Sequence, residues 1–252
     1  MPVFDYDGKQ IVYVHIPKTG GTSVEGFIDD LEDVKSMFFS STVLDGMQVT
    51  PQHLPLRTIK SAMGCFYSPD YIFTIVRNPY RRAESEFKYR MDLGLFKNIP
   101  FKERFFNIWL LYTLILEMIK PGRLDNHIRP QSYFVTNDVL IYKLEDGIES
   151  AMKGVMRALN LESVSRDTVN SKKVSTRRNI KWSRASIRLM ACYYKKDFLN
   201  LGYDSSQIKV ESSWLEESLL TVLFILFVTI SYLKRRFVKF FMNFKSYIDR
   251  AG

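Results

Sequence analysis

Cysteine and histidine are scarce in this sequence: two Cys, at 65 and 192, and three His, at 15, 53 and 127, among 252 residues. Two distant cysteines build no disulfide framework, and with three scattered histidines they lack the spacing of a structural metal site. Cys65 and Cys192 read as buried free thiols. The opening MPVFDYDGKQ lacks the apolar run of a signal peptide or an N-terminal membrane anchor; it is polar and acidic, and the chain is expected to start in the cytosol. No internal repeat and no low-complexity linker interrupts it before Ser205. Acidic residues are in deficit, 27 against 36 Lys and Arg, which leaves a net charge of +9. That balance suits an anionic partner, whether nucleotide, sulfated or phosphorylated substrate, nucleic acid or acidic lipid, without choosing among them. No basic–aromatic RNA motif or recognition-helix pattern occurs, so nucleic acid is not expected.

What is present is enough apolar material, 46% of residues, for one well-buried domain with an appendage. Gln10–Ile16 and YIFTIV at Tyr71–Val76 read as buried strands, with further strands expected over Lys35–Val43 and Val139–Tyr142. Helices are expected from Gly21 to Leu31, from Pro79 to Leu93, over Phe101–Lys120, over Asp146–Leu159 and over Ser183–Asn200. Strands alternating with helices imply parallel crossovers and an α/β fold: a P-loop-like three-layer sandwich, its central parallel sheet flanked by helices. This domain is placed at residues 1–204. Residues 205–252 form a separate apolar and basic helical tail. Ser218–Leu233 is sixteen residues without a charge, followed by KRRFVKFFMNFKSYIDR. As a helix the uncharged run spans ~24 Å, short of a ~30 Å hydrocarbon core, so the tail is read as membrane-associated, with burial in an oligomer as the alternative.

The stretch IVYVHIPKTGGTS, Ile11 to Ser23, runs from a strand through a glycine pair into a helix. A helix N-terminus offers unpaired N–H groups and the positive end of a dipole. Gly20 and Gly21 admit close approach to the backbone, Thr19, Thr22 and Ser23 add hydroxyls, and Lys18 adds a full charge. The combination is a cradle for a phosphate-like group. It is not the usual nucleotide loop, which ends in Gly-Lys-Ser/Thr; here the lysine precedes the glycines. YIFTIV is followed by Arg77 where a metal-binding carboxylate would be expected, so the anion is to be neutralised by protein cations without a metal.

A second motif, YIFTIVRNPYRRAESEF, places Arg77 at the carboxyl end of a strand and Ser85 about two turns into the following helix. Ligands of parallel sheets bind at such ends. An arginine and a serine so placed can close on one further phosphate, so the two motifs together predict a nucleotide with two separated phosphate groups. Arg81 and Arg82 read as a solvated helix face.

These two motifs resemble the cofactor motifs of the carbohydrate sulfotransferases (sulfotransferase family 2). DNHIRPQSYF at Asp125–Phe134 is similar to the family's His-x-x-Pro-Gln segment, and YYKKDFLNLGY at Tyr193–Tyr203 to its closing Tyr-x-x-Asp-Phe pattern. The resemblance covers roughly residues 10–203. It implies that Lys18, Thr19, Gly20, Gly21, Thr22 and Ser23 hold the 5′-phosphosulfate of 3′-phosphoadenosine 5′-phosphosulfate (PAPS), and that Arg77 and Ser85 hold its 3′-phosphate. The implied reaction is in-line transfer of a sulfuryl group to a carbohydrate hydroxyl. Lys18 stabilises the leaving phosphate and a histidine serves as base. His53 leads as base and His127 follows; His15 reads as structural, with Glu25 a minor candidate. Arg129 and Gln131 are placed at an acidic glycan. Lys172, Lys173, Arg177 and Arg178 lie in a loop that closes over the nucleotide in the family. The family's eukaryotic members carry an N-terminal anchor, and none is read here, so a cytoplasmic location at the membrane face is expected over a Golgi membrane. The competing readings are an atypical P-loop kinase and a non-catalytic nucleotide-binding protein at a membrane surface.

Overall fold

The computed structural model describes residues 3–31, 33–95, 97–98, 102–161, 180–210, 218 and 222. Five strands form one sheet: β1 Val3–Tyr6, β2 Lys9–Val14, β3 Lys35–Met37, β4 Tyr71–Val76 and β5 Leu140–Lys143, in the order β3-β1-β2-β4-β5. β2 pairs in parallel with β4, and β4 with β5. This is the parallel centre that the alternation of strands and helices implies. At the other edge β1 pairs antiparallel with both β2 and β3, so the sheet is mixed.

The antiparallel edge has a local cause. Tyr6 faces Lys9 across a two-residue turn, Asp7-Gly8, in which both residues take positive φ, 49° and 73°. Asp-Gly is the favoured pair for such a hairpin because its twist matches that of the strands.

Seven helices, α1 Gly21–Asp29, α2 Leu56–Met63, α3 Pro79–Asp92, α4 Phe106–Ile119, α5 Glu149–Ala158, α6 Arg184–Tyr193 and α7 Lys195–Asn200, complete the described fold. Strand side chains alternate between faces. Val12 and Val14 enter a core closed by Leu56 and Ile59 of α2. Ile11, Tyr13, Phe73 and Ile75 enter the opposite core, closed by Val24, Phe27 and Ile28 of α1 and by Met152 and Val155 of α5. The result is helix, sheet, helix. A third core joins α3, α4, α6 and α7 through Phe87, Phe106, Trp109, Met190 and Phe198, with Trp182 and Tyr194 from the adjoining segments.

The single helix expected over Ser183–Asn200 is two, broken at Tyr194. The break lets Tyr194 donate to the Ile128 carbonyl at 2.6 Å while Asp197 turns inward. Cys65 and Cys192 are exposed, correcting the expectation of buried thiols. Packing continues past residue 204: the Gln207 side chain accepts from Asn78, and Ile208 lies against the third core. No described helix is long and apolar enough to cross a membrane. Apart from Ser218 and Val222, residues 211–252 lie outside the described residues, and with them nearly all of the tail; so do Lys172, Lys173, Arg177 and Arg178.

Candidate active site

Because β2 and β4 are parallel neighbours, the segments leaving their carboxyl ends lie side by side. The first runs from Val14 through Pro17 and Lys18 into α1. Lys18 takes a left-handed conformation, φ 69°, and Gly20, φ 99°, is the N-cap of α1. No side chain caps this helix among the described residues, so its leading N–H groups are left for a ligand. Gly21 is required by its neighbour: a Cβ there would lie 2.0 Å from His15 Nε2.

The second segment runs from Val76 through Arg77 into α3, whose N-terminus is capped by Asn78. The Arg77 Nη1 group donates to the Lys18 carbonyl at 3.4 Å, which joins the two motifs. They share one cavity of roughly 510 Å³, lined by Lys18, Gly20, Gly21, Thr22, Ser23, Arg77 and Ser85, as well as by all three histidines. That volume suits a nucleotide-sized ligand. Thr19 departs from the expected cradle. Its side chain is fully buried and its hydroxyl donates to the Ile16 carbonyl at 2.8 Å, so only its backbone remains for a ligand.

The histidines, distant in sequence, meet edge to face. The centres of the His15 and His53 rings are 5.0 Å apart, as are those of His53 and His127. Each presents Nδ1 to its own carboxylate: His15 to Glu25 at 2.6 Å, His53 to Asp125 at 2.6 Å and His127 to Glu86 at 2.7 Å. For His53 and His127 the contact is a hydrogen bond, and since an ionised carboxylate only accepts, Nδ1 carries the proton and a neutral ring keeps its Nε2 lone pair free. Burial lowers the pKa of both His53 and His127 from the usual 6.5, against the opposing pull of their carboxylates. For Glu86, burial alone would raise the pKa; hydrogen bonds and charges from His127 and Arg90 outweigh it and hold the carboxyl down at about 2. Its pairing therefore stabilises the fold above pH 4.5 and is lost as pH falls towards 2.

Asp125 and Asn126 explain why the loop of His53 sits here. Both adopt positive φ, which Asp and Asn tolerate. Asp125 accepts from the Thr50 amide at 2.6 Å and from the Thr50 hydroxyl, and Asn126 donates to the His53 carbonyl at 2.9 Å. Asp125 with His53 and His127 is also the one described group of side chains spaced to hold a metal ion; no described observation points to an ion there.

Two residues have roles other than those expected. Arg82 is not on a solvated face: it is 3% exposed, and its guanidinium donates to the carbonyls of Pro17, His127 and Arg129 at 2.8, 2.9 and 2.7 Å. Arg81 is the exposed one, paired with Glu84. Gln131 is fully buried and reaches no glycan. Its amide exchanges two hydrogen bonds with the backbone of Arg77, while Asp197 accepts from the amides of Gln131 and Ser132. The signal for Arg82 was available as a polar stripe at helical spacing, Arg82, Ser85, Glu86 and Tyr89.

Lys18 and Arg77 set the electrostatics. Neither forms an ion pair with a carboxylate among the described residues; Lys18 rests over the Tyr89 ring at 4.1 Å. Burial pushes the pKa of both downward. Two partly buried cations without an ion-paired carboxylate among the described residues, beside an uncapped helix N-terminus, make a site whose charge suits an anion.

A family model described as the sulfotransferase family matches residues 2–204. No curated protein and no solved structure matches the chain. The family match covers the sheet, both anion-facing segments and the three histidines, and the protein belongs to the sulfotransferase family.

Proposed function

We propose that the protein transfers a sulfuryl group from PAPS to a carbohydrate hydroxyl. The observation that carries this reading is the pair of cations Lys18 and Arg77, neither ion-paired with a carboxylate among the described residues, at the ends of adjacent parallel strands and facing one cavity. The site fits a nucleotide with two separated phosphate groups: amides of α1 and Lys18 for the 5′ end, Arg77 and Ser85 for the 3′-phosphate. When bound, PAPS supplies the activated sulfuryl group and a phosphate leaving group.

The chain's own residues then have separate tasks. Lys18 and the leading amides of α1 are fixed donors for charge developing at the 5′ end, a contribution of about 2.7–4 kcal/mol per donor in comparable sites. His53 Nε2 accepts the proton of the acceptor hydroxyl, and Asp125 fixes the ring and stabilises the imidazolium. His127, ordered by Glu86, lines the same cavity and orients the acceptor. His15 packs against Gly21 and holds the loop in shape through Glu25. The tail, through its uncharged and basic runs, makes contact with a membrane on the cytoplasmic side.

The deciding experiment is transfer of radiolabelled sulfate from PAPS to a panel of polysaccharides and glycolipids. Labelled product is expected with wild-type protein and at least a hundredfold less with His53→Ala. If His127→Ala is inactive while His53→Ala retains full rate, the base assignment is wrong. If no acceptor is labelled although the nucleotide binds, the carbohydrate reading is wrong.

A further inference from the structure

Lys18 is the donor assigned above to the charge that develops at the 5′ end, so the strength of that donation depends on where its ammonium stands. A lysine side chain is a flexible stem with large rotamer entropy, and a donor that swings freely stabilises little until something holds it. Among the described residues no carboxylate holds Lys18.

What holds it is α3 with the turn that leads into it. Arg82 Nε donates to the Pro17 carbonyl at 2.8 Å, and Arg77 Nη1 to the Lys18 carbonyl at 3.4 Å. These contacts fix the backbone around a residue already in the left-handed region, φ 69°. The side chain is met by Tyr89, whose ring centre lies 4.1 Å from Nζ, well inside the ~6 Å reach of a cation–π contact. Tyr89 stands one helical turn beyond Ser85, on the same face of α3, and lines the same cavity. Arg90 also approaches the ring, but at 5.7 Å, and it is ion-paired with Glu86 at 2.6 Å; Lys18 is the nearer cation.

The same ring meets the other half of the site. Tyr89 stacks on His127, with centres 5.9 Å apart and planes 15° from parallel. His127 in turn donates from Nδ1 to Glu86 of the same helix at 2.7 Å. One stiff aromatic side chain therefore touches both the cation of the nucleotide half and the imidazole assigned to the acceptor half. Small displacements between such groups cost rate steeply, so a fixed spacer between them has a direct use.

We infer that Tyr89 is a positioning residue for the transfer: its ring face holds the Lys18 ammonium at the 5′ end, and its stack sets the distance from there to His127. The role rests on the sulfuryl-transfer reading above and adds to it a residue outside both anion-binding motifs. It belongs to the ring face, so the phenol oxygen is dispensable.

The test is made on the full chain at position 89. Tyr89→Phe should keep at least about half of kcat. Tyr89→Leu should lower kcat about five- to thirtyfold, with the affinity for adenosine 3′,5′-bisphosphate within about threefold of wild type. The unfolding midpoint should hardly move, since the side chain is partly exposed. A merely structural ring is separated from a positioning one by replacing Tyr89 with phenylalanine carrying one, two or three fluorines. These keep the shape while draining negative charge from the ring face, so log kcat should fall stepwise with fluorination. In Lys18→Met the fluorinated series should be flat, because the cation is gone. A second readout needs no acceptor. With adenosine 3′,5′-bisphosphate bound, the ring current should place the Lys18 ε-methylene protons upfield in wild type and Tyr89→Phe relative to Tyr89→Leu. A flat fluorinated series with Lys18 in place, a series that survives in Lys18→Met, or Lys18 protons at one position with and without the ring overturns the role. With transfer intact, that outcome leaves the sulfuryl-transfer reading standing. A wild type that labels no acceptor is the separate failure of that reading, and the proton shift then still decides whether the ring holds Lys18.

Discussion

β2 and β4 are two different environments within a few residues of each other. Along their interiors Val12, Tyr13, Val14, Phe73, Ile75 and Val76 are almost fully buried; Thr74 donates to the Val14 carbonyl, and the Tyr13 hydroxyl is buried without a hydrogen-bond partner among the described residues. At their carboxyl ends the chain turns into Lys18 and Arg77, cations without an ion-paired carboxylate among the described residues, beside three imidazoles each paired with a carboxylate. The interior is held mainly by non-directional burial. The ends hold charge at a cost that a bound anion offsets. Stability and function therefore separate along the length of the same two strands, and substitutions on either side should report on different observables.

The largest separation is expected at the base. His53→Ala should lower kcat/KM by about 10²–10⁴ with the nucleotide still bound. Retention of most of the activity would place the base elsewhere. In the interior, Phe73→Ala should cost about 3–5 kcal/mol of unfolding free energy, read by denaturant titration, because a fully buried ring leaves a cavity between sheet and helices. Lys18→Met makes the sharpest contrast. Transfer should fall by about 10²–10³ while the unfolding midpoint stays or rises, since a partly buried unpaired cation is removed. A large loss of stability would mean that Lys18 belongs with the structural residues. The smallest effect is in the pH profile. Because burial lowers the pKa of His53 and His127, activity should be sustained as pH falls through 6.5 and decline only below it. A rate already halved at pH 6.5 would show an unshifted base.

The sequence was legible where local rules act alone. YIFTIV is a strand over Tyr71–Val76 as expected, Pro79 opens α3, and the Gly20–Gly21 turn leads into α1. Apart from Thr19, the site residues named from the motifs come together in one cavity because parallel neighbours bring their carboxyl ends together. Three features went unread for physical reasons. β1 is short and carries Asp5 among apolar residues, so its alternation was hidden although the Asp7-Gly8 turn signal was present. Arg82 was read as part of a solvated helix face and Gln131 as a glycan contact; their burial follows from backbone groups far away in sequence, which no local pattern reveals. The kink at Tyr194 likewise serves the distant Gln131 and Ser132 amides through Asp197.

The central claim is that Lys18 with the α1 amides, and Arg77 with Ser85, hold the two phosphate groups of one adenosine nucleotide. It is tested most directly by calorimetric binding of adenosine 3′,5′-bisphosphate and adenosine 5′-monophosphate to the wild type and to Arg77→Ala, read as a double-difference cycle. Loss of the 3′-phosphate should weaken binding strongly in the wild type and little in Arg77→Ala. An equal loss in both proteins would contradict the assignment of Arg77 to that phosphate and, with it, the account of the site.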